Sequence, residues 1–448
     1  MTIQLSDHFT YKKLIRFTLP SIGMMIFTSV YCVVDGFFVS NFAGETAFTA
    51  VNFIMPFLMI LGALGFMFGA GGSALISKTL GEGNKEKANN LFSLLFYVSF
   101  SLGVVIAALG IIFLEPIASL LGAKGDLLQG CVDYGRIIAL GLPFYMLQME
   151  FQSFLITAEK PQLSFKFTLI AGVTNIILDA LLVGILDLGL EGAAFATIFS
   201  QFIGFICPLV YFARKNSSLL RLGKAKMDFG AILKTCTNGS SELMTNVSMS
   251  LVGILYNSQL LKYAGESGVA AYGVLMYVNF IFVSVFIGYC IGCAPVIGYH
   301  FGAKNSQELK GLLKRSITII VVLSAAMVGV ALALSVPMSI AFVGYNPTLF
   351  EMTKSAFLYC SFAFLFTGTA IFGSSFFTAL NNGPISAIIS FLRTLVFQTV
   401  AVFLLPVIFI KLGGHGIDGI WLSIVVAEAL AVVVTVIFLL AKRKKYNY

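Results

Sequence analysis

Four acidic residues stand in stretches otherwise too apolar to solvate them: Asp35 in VVDGFFVS, Glu150 in LQMEFQS, Asp179 in TNIILDALLV and Glu242 in SSELMTN. A carboxylate in such surroundings costs several kcal/mol unless it meets water, a cation or a partner. Asp179 follows Asn175 by four residues, so on a helix the two share one face. Thr197, in AAFATIFSQ, adds a hydroxyl. Two carboxylates, an amide oxygen and a hydroxyl at similar depth would make an oxygen-rich pocket, suited to a desolvated Na+ or to a shared proton. Loading such a cation changes the local charge and biases one conformation over another, which is the chemistry of ion-coupled transport. The plainer reading is that Asp35 and Asn175 only hydrogen-bond helix backbone. Two acids in one layer are a steep cost for packing alone.

Further candidates are less specific. Glu242 falls near the middle of its span and could meet a cationic substrate; its alternative is an ion pair with Arg393 or Lys234, as Glu150 could pair with Arg136. Glu428 is a weaker fifth acid. The 44 Phe, 16 Tyr and 15 Met offer aromatic faces and pliable thioethers to an organic cation, although most must pack helices or face lipid. Met146, Gln148, Phe151 and Gln152 in the fourth span, with Tyr256 and Met276 in the second half, join Glu242 and Arg393 as candidates for a substrate cleft. Cys290-x-x-Cys293 has no acidic neighbour and is an incomplete metal-ligand set. The run GAGG at 69–72 lacks the Lys-Ser/Thr of a phosphate loop. His300 and His415 are expected on opposite faces of the membrane. No nucleotide-binding or hydrolytic site is legible, so an ion gradient is the expected energy source.

The elements that hold these residues are helices crossing a membrane. Hydrophobic residues make up 58% of the 448 and charged ones 11%. Runs of about 20 apolar residues recur, each long enough to cross roughly 30 Å of hydrocarbon. They are continuous rather than alternating, which excludes a closed barrel and leaves helices. Twelve spans are predicted, at about 13–39, 48–78, 89–113, 130–158, 163–186, 190–212, 229–261, 268–300, 309–335, 350–380, 385–411 and 416–441. Counted from the nearest ends, Asp35 lies about 6 Å, Asp179 and Thr197 about 10 Å and Asn175 about 16 Å below one membrane surface.

The spans form two copies of one unit. FAGETAFTA at 42–50 returns as YAGESGVAA at 263–271, and at the same displacement of 221 residues Leu80-Gly81-Glu82-Gly83-Asn84 meets Phe301-Gly302-Ala303-Lys304-Asn305. Each copy holds six helices, an even number, so the repeat is parallel and a substrate path is expected between two pseudo-symmetric lobes. The expected division is an N-lobe at 1–215, a linker at 216–228 and a C-lobe at 229–448. The chemistry is not duplicated: Tyr256 stands opposite Asp35, and Gln398 and Val402 stand opposite Asn175 and Asp179. Most of the 28 Lys and Arg fall in alternate connections on the side of the termini, among them Lys85 and Lys87, Lys224 and Lys226, and Lys442 to Lys445. By the positive-inside rule both termini are expected in the cytoplasm, and the net charge of +8 reads as topology rather than nucleic-acid binding.

Taken together, VVDGFFVS, the FAGET and YAGES loops, the LGEGN repeat, TNIILD followed by Ala196-Thr197, and SFLRTL at 390–395 resemble the multidrug and toxic compound extrusion (MATE) transporters, in their MepA-like or DinF-like bacterial branches. The resemblance implies two six-helix lobes in a V. It implies export of amphiphilic, mostly cationic drugs in exchange for Na+ or H+, with no other cofactor. It also implies a cation site made by Asp35, Asn175, Asp179 and Thr197. Relatives with a further acid on the tenth helix depart from this chain, whose FLFTGTAIFGSSF has none. A lipid-linked oligosaccharide flippase of the same superfamily is the alternative. It would need several cations in the cleft, and only Arg136, Lys234 and Arg393 are available. An enzyme is not expected; the expected protein is a monomer in the cell membrane.

Overall fold

The computed structural model describes residues 3–39, 42, 45–344 and 346–448. Ala43 and Gly44 of the first repeated loop lie outside the described residues. The first six helices are α1 Tyr11–Phe38, α2 Glu45–Gly81, α3 Lys85–Leu120, α4 Gly125–Thr157, α5 Pro161–Asp179 and α6 Gly189–Ala213. A π-helical turn, Ala180–Ile185, continues α5. After a non-helical run come α7 Phe229–Gly302, α8 Ser306–Val343, α9 Pro347–Ser361, α10 Phe364–Ala379, α11 Gly383–Phe391, α12 Phe397–Lys411 and α13 Gly416–Tyr446.

These helices make the twelve spans expected. With 74 residues α7 would be about 111 Å long if straight, far more than one crossing needs. Gly265, at φ 64° and ψ −157°, breaks it. Only glycine adopts that backbone readily. The limbs 229–264 and 266–302 fold back on each other, and the rings of Tyr256 and Tyr272 stack 5.4 Å apart across the bend. α9 and α10 meet at 49° and make one bent span. A second π-helical turn, Leu392–Val396, joins α11 to α12 in one continuous span, 383–411.

The duplication recurs in details of local structure. Asn84 accepts the N–H of Lys87 to cap α3, and Asn305, displaced by 221 residues, accepts that of Glu308 to cap α8. Each cap satisfies a donor that the first turn leaves unpaired. The same displacement relates two contacts between the lobes. A Cβ on Gly81 would strike the carbonyl of Tyr299, and a Cβ on Gly302 would strike the carbonyl of Lys78. Helix α2 and the second limb of α7 therefore cross through the pseudo-twofold axis, where only glycine permits such backbone approach.

Close contacts between the lobes gather on the side of the termini. Gly288 meets α1 at Ile22 and Gly292 meets it at Thr18, while Gly71 and Gly239 seat α2 against the first limb of α7. Asn381 donates to the Ala74 carbonyl at 2.9 Å and accepts from Asn238 at 2.7 Å. The N-terminal segment crosses the same seam: Leu5 N–H donates to Glu159, Phe9 N–H donates to Glu308, and both side chains are buried. Toward the opposite side Gly36, Gly253 and Gly273 face open space. Close backbone contacts between the lobes thus lie, among the described residues, toward one end.

Candidate coupling site and cleft

Helices α1 and α5 bring three of the four expected site residues together. Phe27, Tyr31 and Asp35 succeed one another at intervals of four along one face of α1. Gly172 on α5 packs against Phe27 and Tyr31, so closely that an added Cβ would overlap the Phe27 ring. Asn175 and Asp179 lie three and seven residues beyond Gly172, on the same face of α5. The glycine contact therefore sets both side chains against Asp35. The Asp35 carboxyl lies close enough to Asp179 and to Asn175 to interact with both. Regular α-helix ends at Asp179, and the π-helical turn begins with the next residue. Such turns reorient the residues around them and cluster at functional sites.

The group is short of donors. Asp179 and Asn175 are buried, at 0% and 2% exposure, and Asp35 is half-buried. One Asp35 oxygen, both Asp179 oxygens and the Asn175 amide oxygen have no hydrogen-bond partner. Two carboxyls at this range have no hydrogen between them unless one is protonated, and four bare oxygens present a ready cage for a small cation. The donor set fits either occupant. Thr197 is half-buried on α6, its carbonyl accepts from Ser200 at 3.0 Å, and among the described residues its hydroxyl makes no hydrogen bond. Tyr134 of α4, which the sequence did not single out, lies close enough to feel the charge of both acids.

The expected pairings of the other acids are corrected. Arg393 donates through Nε to both oxygens of Glu428, at 3.0 and 3.1 Å, and so does not pair with Glu242. Lys234 donates to the Asn381 carbonyl at 2.8 Å. Glu242 is half-buried and within electrostatic reach of Arg393, but forms no ion pair. Arg136 lies 3.6 Å from Glu115, not beside Glu150. Glu150 is fully buried and neither carboxyl oxygen has a hydrogen-bond partner. Glycines explain its depth: Gly69 of α2 packs against its Cα, so α4 turns this face inward.

Several cleft candidates are interior residues. Met146 is buried where Gly65 of α2 and Gly103 of α3 close on it. Phe151 stacks on Phe96 and Phe205 in the aromatic core of the N-lobe. Gln148 and Gln152 line a cavity of about 10 Å3, room for about one water; Gln152 donates to Thr168 at 3.2 Å. Tyr256 is 1% exposed, donates to Gln398 at 2.6 Å and lies 2.8 Å from the Ser423 hydroxyl. Met276 is half-buried against the C-lobe core. Periodicity marks these positions as helical but cannot tell a lobe's interior from the cleft between lobes.

The model of the MatE family matches the sequence twice, over residues 20–181 and 243–404. The chain belongs to the MatE family. The two matches are displaced by 223 residues, so each lobe is one family unit. The Multidrug export protein MepA of Staphylococcus saprophyticus is 26% identical over 442 residues, covering 97% of this chain and 94% of its own. That of Staphylococcus haemolyticus is 27% identical over 427 residues, covering 94% and 91%. The solved outward-facing conformation of a multidrug resistance MATE family transporter superposes with a TM-score of 0.91 at 22% identity, covering 98% of this chain and 97% of the other. The MATE chain described here is thus a two-lobed multi-pass membrane transporter and not an enzyme.

Proposed function

We propose that this MATE protein is an antiporter that exports amphiphilic, mostly cationic organic compounds in exchange for Na+ or H+. One observation carries the reading: Asp35, Asn175 and Asp179 gather oxygens in excess of donors inside one lobe. A cation or proton entering from the side remote from the termini would supply the missing positive charge, and its departure would restore the repulsion between the two carboxyls. The lobe's preferred packing then depends on occupancy, which is what coupling requires. With both termini in the cytoplasm, the close contacts between the lobes would lie on the cytoplasmic side.

Export of organic cations rests on the likeness to the staphylococcal export proteins and on Glu242, an acid held without an ion pair in the C-lobe. The flippase alternative gains no support, because Arg393 is neutralised by Glu428. The protein is expected to work as a monomer. The test is uptake or release of a cationic dye by proteoliposomes under separately imposed Na+ and pH gradients. Movement of dye against its own gradient under either condition is expected; none under both, with movement of a lipid-linked sugar instead, would sink the proposal.

A further inference from the structure

The run between α6 and α7 lies along α3 and is fastened there by a polar face of that helix. Asn89 accepts the N–H of Arg221 at 2.6 Å, Asn90 that of Lys226 at 2.7 Å and Ser93 that of Gly223 at 2.9 Å. The Tyr97 hydroxyl donates to the Gly223 carbonyl at 3.2 Å. Beyond these residues the helix turns apolar. Between it and the linker runs a groove of about 490 Å3, walled by Leu94, Val98, Leu102 and Val105 on one side and by Ala225 and Met227 on the other. From Leu94 to Val105 the helix rises about 16 Å, close to half of a hydrocarbon core of roughly 30 Å. The groove is thus one leaflet deep, open laterally, and on the side of the termini.

Its aqueous rim is positive. Lys224 and Lys226 alternate with Ala225 and Met227 and are exposed. Lys87 is exposed three residues before Asn90, at the head of the stripe that continues through Leu94, Tyr97 and Ser101. Among the described residues none of these three lysines has an ion-pair partner, and the nearby Asp228 is engaged as the cap of α7, accepting the N–H of Ala231 at 2.9 Å. We propose that the groove binds one anionic phospholipid, its acyl chain along α3 and its phosphate among Lys87, Lys224 and Lys226. A zwitterionic lipid could fill the apolar wall, but its headgroup brings no net charge to the three cations. Because the linker runs directly into α7 at Phe229, the bound lipid would also fix the start of the limb that carries Glu242.

The full chain in nanodiscs of mixed phosphatidylglycerol and phosphatidylcholine provides the test, with trace photoreactive analogues of each lipid and mass-spectrometric mapping of the labelled peptides. The phosphatidylglycerol probe is expected to label 94–105 and 225–227 in preference to the phosphatidylcholine probe. That preference should fall roughly fivefold for each lysine changed to alanine. Ser101→Trp, which fills the groove and keeps every lysine, should abolish labelling there by both probes. Lys224→Arg and Lys226→Arg should preserve the preference. Equal labelling by the two probes, or a preference indifferent to the lysines, would overturn the proposal.

Discussion

At the end of the molecule remote from the termini, the two lobes place polar side chains at corresponding points of their first and fifth helices, with opposite results. In the C-lobe, Tyr256, Gln398 and Ser423 lie in one hydrogen-bonded group: the phenol donates to the Gln398 amide oxygen at 2.6 Å and lies 2.8 Å from the Ser423 hydroxyl, whose single proton goes either to the phenol oxygen or to the Ile420 carbonyl at 2.6 Å. In the N-lobe, Asp35 and Asn175 stand where Tyr256 and Gln398 do, Asp179 is added one turn further, and four oxygens are left without donors. The π-helical turns differ as well. That of the N-lobe follows Asp179, whereas that of the C-lobe comes earlier and carries Arg393 to Glu428. A closed network is a structural core, while an open one needs a partner from outside. Duplication thus supplied two equivalent frames, and polar chemistry made one a brace and left the other open, as the proposed switch requires.

The contrast can be broken by substitution, beginning with the largest effect. Arg393 and Glu428 are 13% and 8% exposed, and Glu428→Leu would leave the guanidinium buried and unpaired. Loss of one partner from such a pair costs about 3–5 kcal/mol, so thermal unfolding in detergent should drop sharply. Unchanged unfolding would show that the C-lobe network is not a brace. Next, Gly81 and Gly302 make equivalent contacts across the axis. Gly81→Val and Gly302→Val should each disfavour closure by about 1–3 kcal/mol. Distances between spin labels on the two lobes should widen equally on the side of the termini; a response from only one variant would contradict the symmetry of the frame.

Smaller effects discriminate the polar groups themselves. Tyr256→Phe removes the bridging hydroxyl and should cost about 1 kcal/mol in unfolding. Asp35→Asn brings donors to a site that lacks them, so its stability should match or exceed that of the parent protein by up to about 1 kcal/mol. A marked loss of stability in Asp35→Asn would mean that the carboxyl is a packing element after all.

Much of this architecture is legible in the sequence because it depends on local rules. Span lengths follow from hydropathy, and the Asn84 and Asn305 caps lie within the repeated motifs. The intramembrane acids announce themselves by cost. Contacts made between distant segments leave no such trace. Nothing local distinguishes Gly172, which seats α5 on α1, from Gly184, which faces open space. Hydropathy alone offers Arg393 to Glu242, and helix rotation selects Glu428. Met146 and Phe151 have the composition of cleft residues, yet neighbouring glycines and aromatic rings enclose them. Leu5 and Phe9 precede the first predicted span, where hydropathy has nothing to say of them, yet they are buried across the seam between lobes.

The most direct measurement compares both lobes in one assay: gradient-driven efflux of a cationic dye from proteoliposomes by Asp35→Asn, Asp179→Asn, Tyr256→Phe and Gln398→Leu. A switch confined to the N-lobe predicts that the first two lose all response to the imposed Na+ or H+ gradient while the last two keep it. Full coupling in Asp35→Asn and Asp179→Asn, or its loss in Tyr256→Phe and Gln398→Leu alone, would contradict the account.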